Sequence, residues 1–199
     1  MKKIKQYLMY ITGKYKSYKY SARDILKLDL GSGDYKRKGF VGIDFSKGAD
    51  ISWDLLWGIP FGDDSVDEIK SDHFFEHLKI DELIYIFNEC RRVLKKGGIL
   101  DFTVPHIDPY INAYVKNDIS FLKSKINDIP KKYKKVFDNP FDIMMWLLYR
   151  NGEHKVFFDK VSIVQKLKYV GFKKVTVRKV KTSEDINIRF SSIYVTAIK

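Results

Sequence analysis

Two glycines and an acid near the start of the chain have the spacing of a nucleoside-binding crevice. Gly31 and Gly33 follow a short apolar run, and Asp44 ends the next apolar run eleven positions after Gly33. Glycines at the end of a buried strand let the backbone approach a ligand that a Cβ would hold off, and a carboxylate ending the next strand can accept hydrogen bonds from both ribose hydroxyls. The spacing therefore predicts a nucleoside-containing ligand.

A parallel sheet is needed to position these residues, and the chain has the pattern of one. Short apolar runs alternate with longer helical patterns, which is typical of a sheet covered by helices on both faces. The clearest helix covers residues 80–95, with a basic last turn and a glycine stop at 95–98. Strands are predicted near residues 26–30, 40–44, 50–53, 67–71, 98–104, 173–180 and 189–198.

The length of 199 residues predicts one domain, residues 1–199, with two added segments. Residues 1–22 form a basic N-terminal segment. Residues 107–150 are aromatic and basic, with helical stretches predicted at 119–127 and 130–149, and they interrupt the alternation as an insertion. Such insertions usually shape a substrate pocket.

Composition narrows the class of protein and its compartment. A single cysteine, Cys90, cannot form an intramolecular disulfide or a multi-cysteine zinc site, which suits a reducing cytoplasm. No apolar run has the length of a membrane span, and the run Tyr7 to Ile11 is too short for a signal peptide. We therefore expect a cytoplasmic protein.

The net charge of +12 is unevenly distributed. Residues 41–109 contain 14 acidic and 7 basic residues, a net charge of −7, so the flanking segments together carry +19. Positive flanks suit an anionic substrate, RNA or an anionic lipid surface, although a lysine-rich composition that maintains solubility explains them equally well.

Further motifs follow the glycine loop in a fixed order. Asp54 and Leu55 precede an acidic run at 63–68, a histidine-containing loop follows at 71–78, and a basic run ends in two glycines at 91–98. In this order the motifs resemble those of class I S-adenosylmethionine-dependent methyltransferases, specifically a small type-11-like group with a shortened crossover between the first two strands. The resemblance covers roughly residues 26–106 and again 152–199.

The resemblance implies a fold, a cofactor and a reaction. The fold would be a three-layer Rossmann-like sheet with helices on both faces, mostly parallel with an antiparallel last strand. The chain would be an enzyme that transfers a methyl group from S-adenosyl-L-methionine. The implied cofactor-binding residues are Asp29, Gly31, Ser32, Gly33, Asp44, Asp54, Leu55, Ser71, Asp72 and His73.

The first crossover departs from the family pattern. Only six residues, Asp34 to Gly39, separate Gly33 from the second strand, whereas a parallel crossover usually contains a full helix. The cofactor carboxylate would then lose the positive end of that helix, and we hypothesise that Lys36, Arg37 or Lys38 replaces it. We also expect the segment 7–20 to cover the pocket on this open side.

Methyl transfer to a hydroxyl requires a base, and histidine is the usual one. His106, at the end of the fifth strand, is the favoured base, His154 is the second candidate and His73 forms a wall of the site. His73, Glu76 and His77 also spell the inverted zinc pattern His-x-x-Glu-His. The third ligand of that pattern is unspecified and the family loop accounts for the same residues, so no metal is expected.

The motifs do not identify the methyl acceptor, and several alternatives stay open. Compact relatives are often associated with surface-polysaccharide biosynthesis, which favours a small or sugar-linked, anionic acceptor methylated at oxygen. RNA methylation, a non-catalytic cofactor-binding or nucleic-acid-binding module, peripheral membrane contact and a nicotinamide-dependent oxidoreductase are the alternatives. Aromatic side chains that could pack against a sugar are Tyr110, Tyr114, Phe121, Trp146 and Tyr149.

Overall fold

The structure, a computed structural model, describes residues 2–125, 129–137, 139–181, 185 and 191–199. Within these ranges seven strands form one sheet in the order β3-β2-β1-β4-β5-β7-β6. The strands are β1 (Lys27–Leu30), β2 (Val41–Asp44), β3 (Ile51–Ser52), β4 (Val66–Asp72), β5 (Leu94–Pro105), β6 (Lys173–Arg178) and β7 (Ser192–Ile198). The predicted last strand began at residue 189, and residues 189 and 190 lie outside the described ranges.

Six α-helices lie in the same described residues. They are α1 (Lys2–Tyr20), α2 (Ile80–Val93), α3 (Asp108–Val115), α4 (Ile119–Ser124), α5 (Pro140–Tyr149) and α6 (Lys160–Tyr169). None of the described helices is long and apolar enough to cross a bilayer.

The sheet confirms the predicted Rossmann-like class. Neighbouring strands from β3 to β5 pair in parallel, whereas β7 runs antiparallel to both β5 and β6. One face is mostly apolar, because large aliphatic or aromatic side chains alternate along the central strands, at Leu28, Leu30, Ile69, Leu100, Phe102 and Val104. Phe102 on this face contacts Phe75, in the 3-10 turn after β4, and Phe87 of α2, with ring centroids 4.9 and 5.9 Å away. These ring contacts pack α2 and the turn after β4 against the apolar face of the sheet.

The other face carries a row of polar side chains in register across neighbouring strands. Asp29 pairs with Lys70, Lys70 with Asp101, and Asp101 with Thr196. The three charged residues of the row are buried. Residues 31–40, which link β1 to β2, contain no helix, as the sequence predicted, so no apolar helix surface from this link covers the row.

Arginines from outside the row compensate its buried acids. Arg178 forms two hydrogen bonds to Asp101, at 2.9 and 2.6 Å, and also binds Asp185. A buried carboxylate is costly unless it is paired and hydrogen-bonded. Paired charges therefore replace the apolar contacts that a helix would make here.

The first helix packs on the edge of the sheet. A Cβ on Gly13 would lie 2.4 Å from the Trp53 ring, so α1 approaches β3 closely only because this residue is glycine. Tyr10 of α1 stacks on Trp53 at a centroid distance of 5.1 Å. Lys16 of α1 donates a hydrogen bond to the Asp50 carbonyl at 2.8 Å. The helix therefore lies beside β3 and the loop before it.

The insertion has a small core of its own. Its buried residues are Ala113, Leu122, Ile129, Ile143, Met144 and Leu148. The helix predicted over 130–149 is wrong in its first half, where residues 131–133 form a 3-10 turn and α5 begins only at Pro140. Asn139 caps α5 by accepting a hydrogen bond from the Asp142 amide at 3.0 Å, so the helix starts there. Residues 126, 127 and 138 of the predicted stretches lie outside the described ranges.

One boundary of the best-predicted helix is also wrong. Residues 95–98 were expected to end α2, but α2 ends at Val93 and the whole run belongs to β5. Leu94 already pairs with Val66 of β4, and Lys95 forms a 2.7 Å ion pair with Asp67. Strand pairing and this ion pair therefore override the local glycine signal.

Candidate active site

The loop after β1 has the open backbone that its glycines predicted. Gly31 has φ +68° and Gly33 φ +55°, values that favour glycine. A Cβ on Gly31 would lie 2.5 Å from Phe74, whereas a Cβ on Gly33 would meet no heavy atom within 4 Å. The chain is therefore packed at Gly31 and open at Gly33, where a ligand can contact the backbone.

The acids predicted to bind the nucleoside lie around this loop, at the ends of the neighbouring strands or just beyond them. Asp44 is half-buried at the end of β2, and its Oδ1 accepts a hydrogen bond from the Ser46 amide at 2.7 Å. Asp54 follows β3 and accepts a hydrogen bond from the Leu56 amide at 2.9 Å, capping a 3-10 turn in which Leu55 is buried. Each carboxylate is thus oriented by the backbone beside it.

Two other predicted cofactor residues are committed to the fold. Ser71 is buried, and its hydroxyl donates to the Leu30 carbonyl at 2.9 Å, which ties β4 to β1. Asp29 is buried and paired with Arg37. Asp72, at the end of β4, lies in the same narrow cleft as Ser71 and Arg37. These residues therefore line the sheet next to the glycine loop.

The three cations of the short crossover have different surroundings. Arg37 pairs with Asp29 at 2.9 Å, and Lys36 pairs with Asp50 at 2.7 Å. Lys38 is exposed. Two of the three cations are therefore paired with acids of the fold, and the contact of any of them with a cofactor carboxylate stays a prediction.

His73 lies directly after β4 in a constrained geometry. Its φ of +54° is unusual for a residue with a side chain. Its Nδ1 lies 3.0 Å from Oε1 of Glu76, and its Nε2 lies 3.2 Å from the Ser192 hydroxyl. A carboxylate only accepts hydrogen bonds, so in the neutral ring Nδ1 carries the proton and Nε2 has the lone pair. The carboxylate thereby holds His73 in the tautomer that can accept a proton at Nε2.

A cavity of about 450 Å³ lies between the carboxyl edge of the sheet and the insertion. Tyr110 and Trp146 supply aromatic surface, and Lys125 and Arg150 supply positive charge. The remaining lining residues are His73, Pro105, Leu147, Leu148, His154, Ser191 and Ser192.

The other two histidines proposed as bases have different surroundings. His106 is outside the cavity lining, and its Nε2 lies 3.0 Å from Oδ2 of Asp108. His154 is buried in the cavity wall with Nδ1 2.7 Å from the Leu148 carbonyl. Burial lowers the pKa of His154, which favours its neutral form.

Two partners of His73 have different origins in the sequence. Glu76 lies three residues away, and its spacing was visible in the His-x-x-Glu-His pattern. Ser192 lies 119 residues from His73 along the chain, and no local motif marks it.

Cys90 is fully buried on α2, and burial raises the pKa of its thiol, as expected for an unreactive core cysteine.

Residues 36–102 match a family model described as a methyltransferase domain. This match agrees with the family resemblance that the motifs predicted, although it begins after the glycine loop at Gly31 and Gly33. No curated protein matches the sequence significantly.

Three solved S-adenosylmethionine-dependent methyltransferases have a similar fold. The protein from Archaeoglobus fulgidus shares 14% identity with a TM-score of 0.55, and the match covers 96% of this chain and 93% of that one. The protein from Thermotoga maritima shares 14% identity with a TM-score of 0.50, covering 100% and 95%. The protein from Mesorhizobium loti shares 13% identity with a TM-score of 0.50, covering 96% and 100%. At these identities the similarity shows the fold.

Proposed function

We propose that this chain, whose residues 36–102 match a methyltransferase domain on the fold of the S-adenosylmethionine-dependent methyltransferases, methylates a hydroxyl of a small, anionic, carbohydrate-type acceptor. S-adenosylmethionine, when bound, would supply an activated methyl group on its sulfonium for in-line transfer to the acceptor oxygen, and S-adenosylhomocysteine would be the leaving group. The residues of the chain bind and orient both molecules, exclude water and accept the proton of the hydroxyl.

The glycine loop supports the placement of the cofactor. A cradle that is open at Gly33 and bordered by Asp44 fits a nucleoside with an amino-acid tail, since the backbone amides can approach the tail and the carboxylate can bind the ribose. Asp54, directly after β3, is the proposed partner of the adenine amino group. His73 follows β4 and is the proposed boundary between cofactor and acceptor.

The contact between His73 and Glu76 is the observation that carries the assignment to oxygen. Glu76 keeps a proton on Nδ1, so Nε2 can accept one from a hydroxyl in the cavity. The Ser192 hydroxyl lies 3.2 Å from Nε2, and we expect an acceptor hydroxyl to take a similar position beside this nitrogen. Such a base typically contributes about 10²–10⁴-fold to the rate. The sequence favoured His106, but His106 is outside the cavity lining, so we assign the base to His73.

The cavity supports a sugar that carries a negative charge. Tyr110 and Trp146 offer flat apolar surfaces of the kind that pack against a sugar ring, and Arg150 and Lys125 can bind a phosphate. Its volume of about 450 Å³ is in the range of small-molecule sites, which span about 300–1,000 Å³. A nucleotide-linked or lipid-linked sugar has this combination of ring, hydroxyls and phosphate.

The test is transfer of a labelled methyl group to a panel of acceptors. Purified protein is incubated with methyl-labelled S-adenosylmethionine and with sugar phosphates, nucleotide sugars, lipid-linked sugars or RNA, and products are separated and counted. We expect label on a phosphorylated sugar at an alkali-stable ether. Label on RNA alone would replace this proposal with the RNA alternative, and cofactor binding without transfer to any acceptor would favour a non-catalytic module.

A further inference from the structure

Three potential metal ligands converge next to the acceptor cavity. Glu76 and His77 lie in the 3-10 turn after β4, and His154 follows the insertion. One ligand atom from each residue lies within 4.8 Å of the others. Lys155 donates its backbone amide to the Glu76 carbonyl at 2.8 Å, which holds the two segments together. The cluster is therefore part of the fold rather than a chance meeting of surface side chains.

Both histidines of the cluster are held in the tautomer that binds a metal. His77 Nδ1 lies 3.1 Å from the Glu153 carbonyl, and His154 Nδ1 lies 2.7 Å from the Leu148 carbonyl. A carbonyl only accepts hydrogen bonds, so in the neutral ring each Nδ1 carries the proton and each Nε2 has the lone pair. Metal-bound histidines almost always donate their other ring nitrogen in this way.

The carboxylate of Glu76 supplies independent evidence for a ligand. Its side chain is 1% exposed. Oε1 contacts His73, but Oε2 has no hydrogen-bond partner among the described residues. Leaving a buried carboxylate oxygen unpaired is costly, and a cation bound beside it would compensate that cost.

We propose that Glu76, His77 and His154 bind one divalent metal ion of the zinc class. Two imidazole nitrogens and one carboxylate oxygen form the ligand set of open zinc sites, in which a fourth position remains for water or substrate. Magnesium prefers oxygen ligands only, so the two imidazoles disfavour it. Ligands of a tetrahedral zinc ion are about 3.4 Å apart. The three ligand atoms, which lie within 4.8 Å of one another, would have to move closer to reach that spacing, and His77 is the exposed member of the cluster.

The cluster revises the expectation drawn from the sequence. The His-x-x-Glu-His pattern suggested His73, Glu76 and His77 as ligands, and the missing third ligand argued against zinc. In the structure His73 instead binds Glu76 Oε1 as an outer partner, and His154 provides the third ligand from 78 residues beyond Glu76. The metal proposal concerns binding alone and does not depend on the methyl acceptor.

The experiment measures zinc binding to chelator-treated protein without any cofactor. Calorimetry is performed with Zn²⁺ and with Mg²⁺ on the wild type, on His77→Gln and on His106→Gln, and the stoichiometry is checked by elemental analysis. We expect one Zn²⁺ per chain, at least tenfold weaker binding by His77→Gln, and unchanged binding by His106→Gln, whose histidine lies outside the cluster. Because His77 is exposed, its replacement should leave the fold intact.

Thermal unfolding provides the second measurement. Zinc should raise the midpoint of the wild type but not that of Glu76→Gln, since a ligand that binds only the folded state stabilises it. Absence of a zinc equivalent on the wild type, stronger binding of Mg²⁺ than of Zn²⁺, or equal loss in His77→Gln and His106→Gln would each overturn the proposal.

A different observation on α1 carries a second inference. The face of α1 opposite its contact with Trp53 presents apolar side chains to solvent at helical spacing, namely Ile4, Tyr7, Leu8, Ile11, Tyr15 and Tyr18. The helix contains no acidic residue, and exposed lysines flank this stripe on both sides, at Lys3, Lys5, Lys14 and Lys19. A long apolar stripe bordered by lysines is typical of helices that lie in the interface of a bilayer.

We propose that this outer stripe of α1 docks on an anionic lipid surface. The apolar side chains would enter the interface while the lysines bind the headgroups, and each lysine should contribute about fivefold to the affinity. A membrane is favoured over a second copy of the chain, because two copies would bring the lysines of both helices together.

Vesicle co-sedimentation tests the docking surface. Wild-type protein should bind vesicles of phosphatidylcholine mixed with phosphatidylglycerol, bind pure phosphatidylcholine vesicles much less, and lose binding as salt is raised. Tyr18→Ser, at a residue 80% exposed, should bind several-fold more weakly, whereas Tyr169→Ser, at a residue 81% exposed on α6, should bind as the wild type. Equal binding to both vesicles, equal binding by both variants, or self-association that Tyr18→Ser abolishes would refute it.

Discussion

The Nε atom of Arg37 lies 2.9 Å from Oδ2 of Asp29, and both side chains are almost fully buried beside the crossover that lacks a helix. Burial raises the pKa of Asp29, and the Arg37 guanidinium opposes that effect without cancelling it. The ion pair therefore lowers the free-energy cost of burying Asp29 on the face that the short crossover leaves without a helix.

Arg37→Ala should lower the free energy of unfolding by about 3 kcal/mol near neutral pH, since it leaves a buried carboxylate unpaired. An acid with a raised folded-state pKa destabilises the fold as the pH rises through that value. The difference from wild type in urea unfolding should therefore shrink at mildly acidic pH. The double variant Asp29→Asn, Arg37→Ala should recover part of the loss, and a loss that is the same at both pH values would contradict this account.

His73→Asn should lower kcat by about 10²–10⁴-fold while the affinity for S-adenosylmethionine stays close to that of the wild type. Asparagine is chosen because it tolerates the positive φ of this position. Turnover and calorimetric cofactor binding are the two measurements, and His106→Asn is the matched control with little expected effect. If His106→Asn loses turnover and His73→Asn does not, the base is His106.

Alanine at the two loop glycines should have separable effects. Gly31→Ala places a Cβ against Phe74 and should cost about 2–4 kcal/mol of stability, combining a strained φ with overpacking. Gly33→Ala meets open space and should cost about 1–2 kcal/mol, but its Cβ should weaken cofactor binding. Urea unfolding and cofactor calorimetry on both variants check this. Normal cofactor affinity in Gly33→Ala would move the cofactor away from this loop.

Asp44→Ala should weaken binding of S-adenosylmethionine by at least tenfold, because a hydrogen bond to a charged acceptor is typically worth about 1.5–3 kcal/mol. Asp81→Ala, at an exposed acid in the first turn of α2, serves as the control for loss of charge. Equal affinities of the two variants would argue against ribose binding by Asp44.

Glu89 should contribute to stability against acid. Burial alone would raise the pKa of Glu89, but hydrogen bonds from Arg92 and from the Ile59 amide outweigh burial and lower it. A carboxylate with a lowered folded-state pKa stabilises the fold above its unfolded pKa, and that contribution is lost as the pH falls through the folded value. Unfolding free energies should therefore differ between wild type and Glu89→Gln near neutral pH and converge in acid. A difference independent of pH would point to packing instead.

The sequence was sufficient for the features that local spacing determines. The strand ends that present Gly31, Asp44 and His73 were predicted within one or two residues, because buried strands and their glycine turns are marked in the chain itself. The absence of a helix in the first crossover followed from a count of six residues.

Long-range contacts were beyond the sequence. The approach of Ser192 to His73 and of His154 to Glu76 depends on how β7 and the insertion fold back over β4, and no local pattern encodes either distance. The run at 95–98 was misassigned for the same reason, because Lys95 forms its ion pair with Asp67 on another strand and does not extend the helix before it.

The in-register row of Asp29, Lys70, Asp101 and Thr196 has a further consequence. A sheet face without its covering helix normally exposes apolar side chains, and exposed apolar surface promotes association with other chains. Here the row is polar, and its buried acids Asp29 and Asp101 are paired with arginines, so this face does not depend on an apolar cover. Charged and hydroxyl side chains at these four positions therefore remove the need for an apolar helix over this part of the sheet.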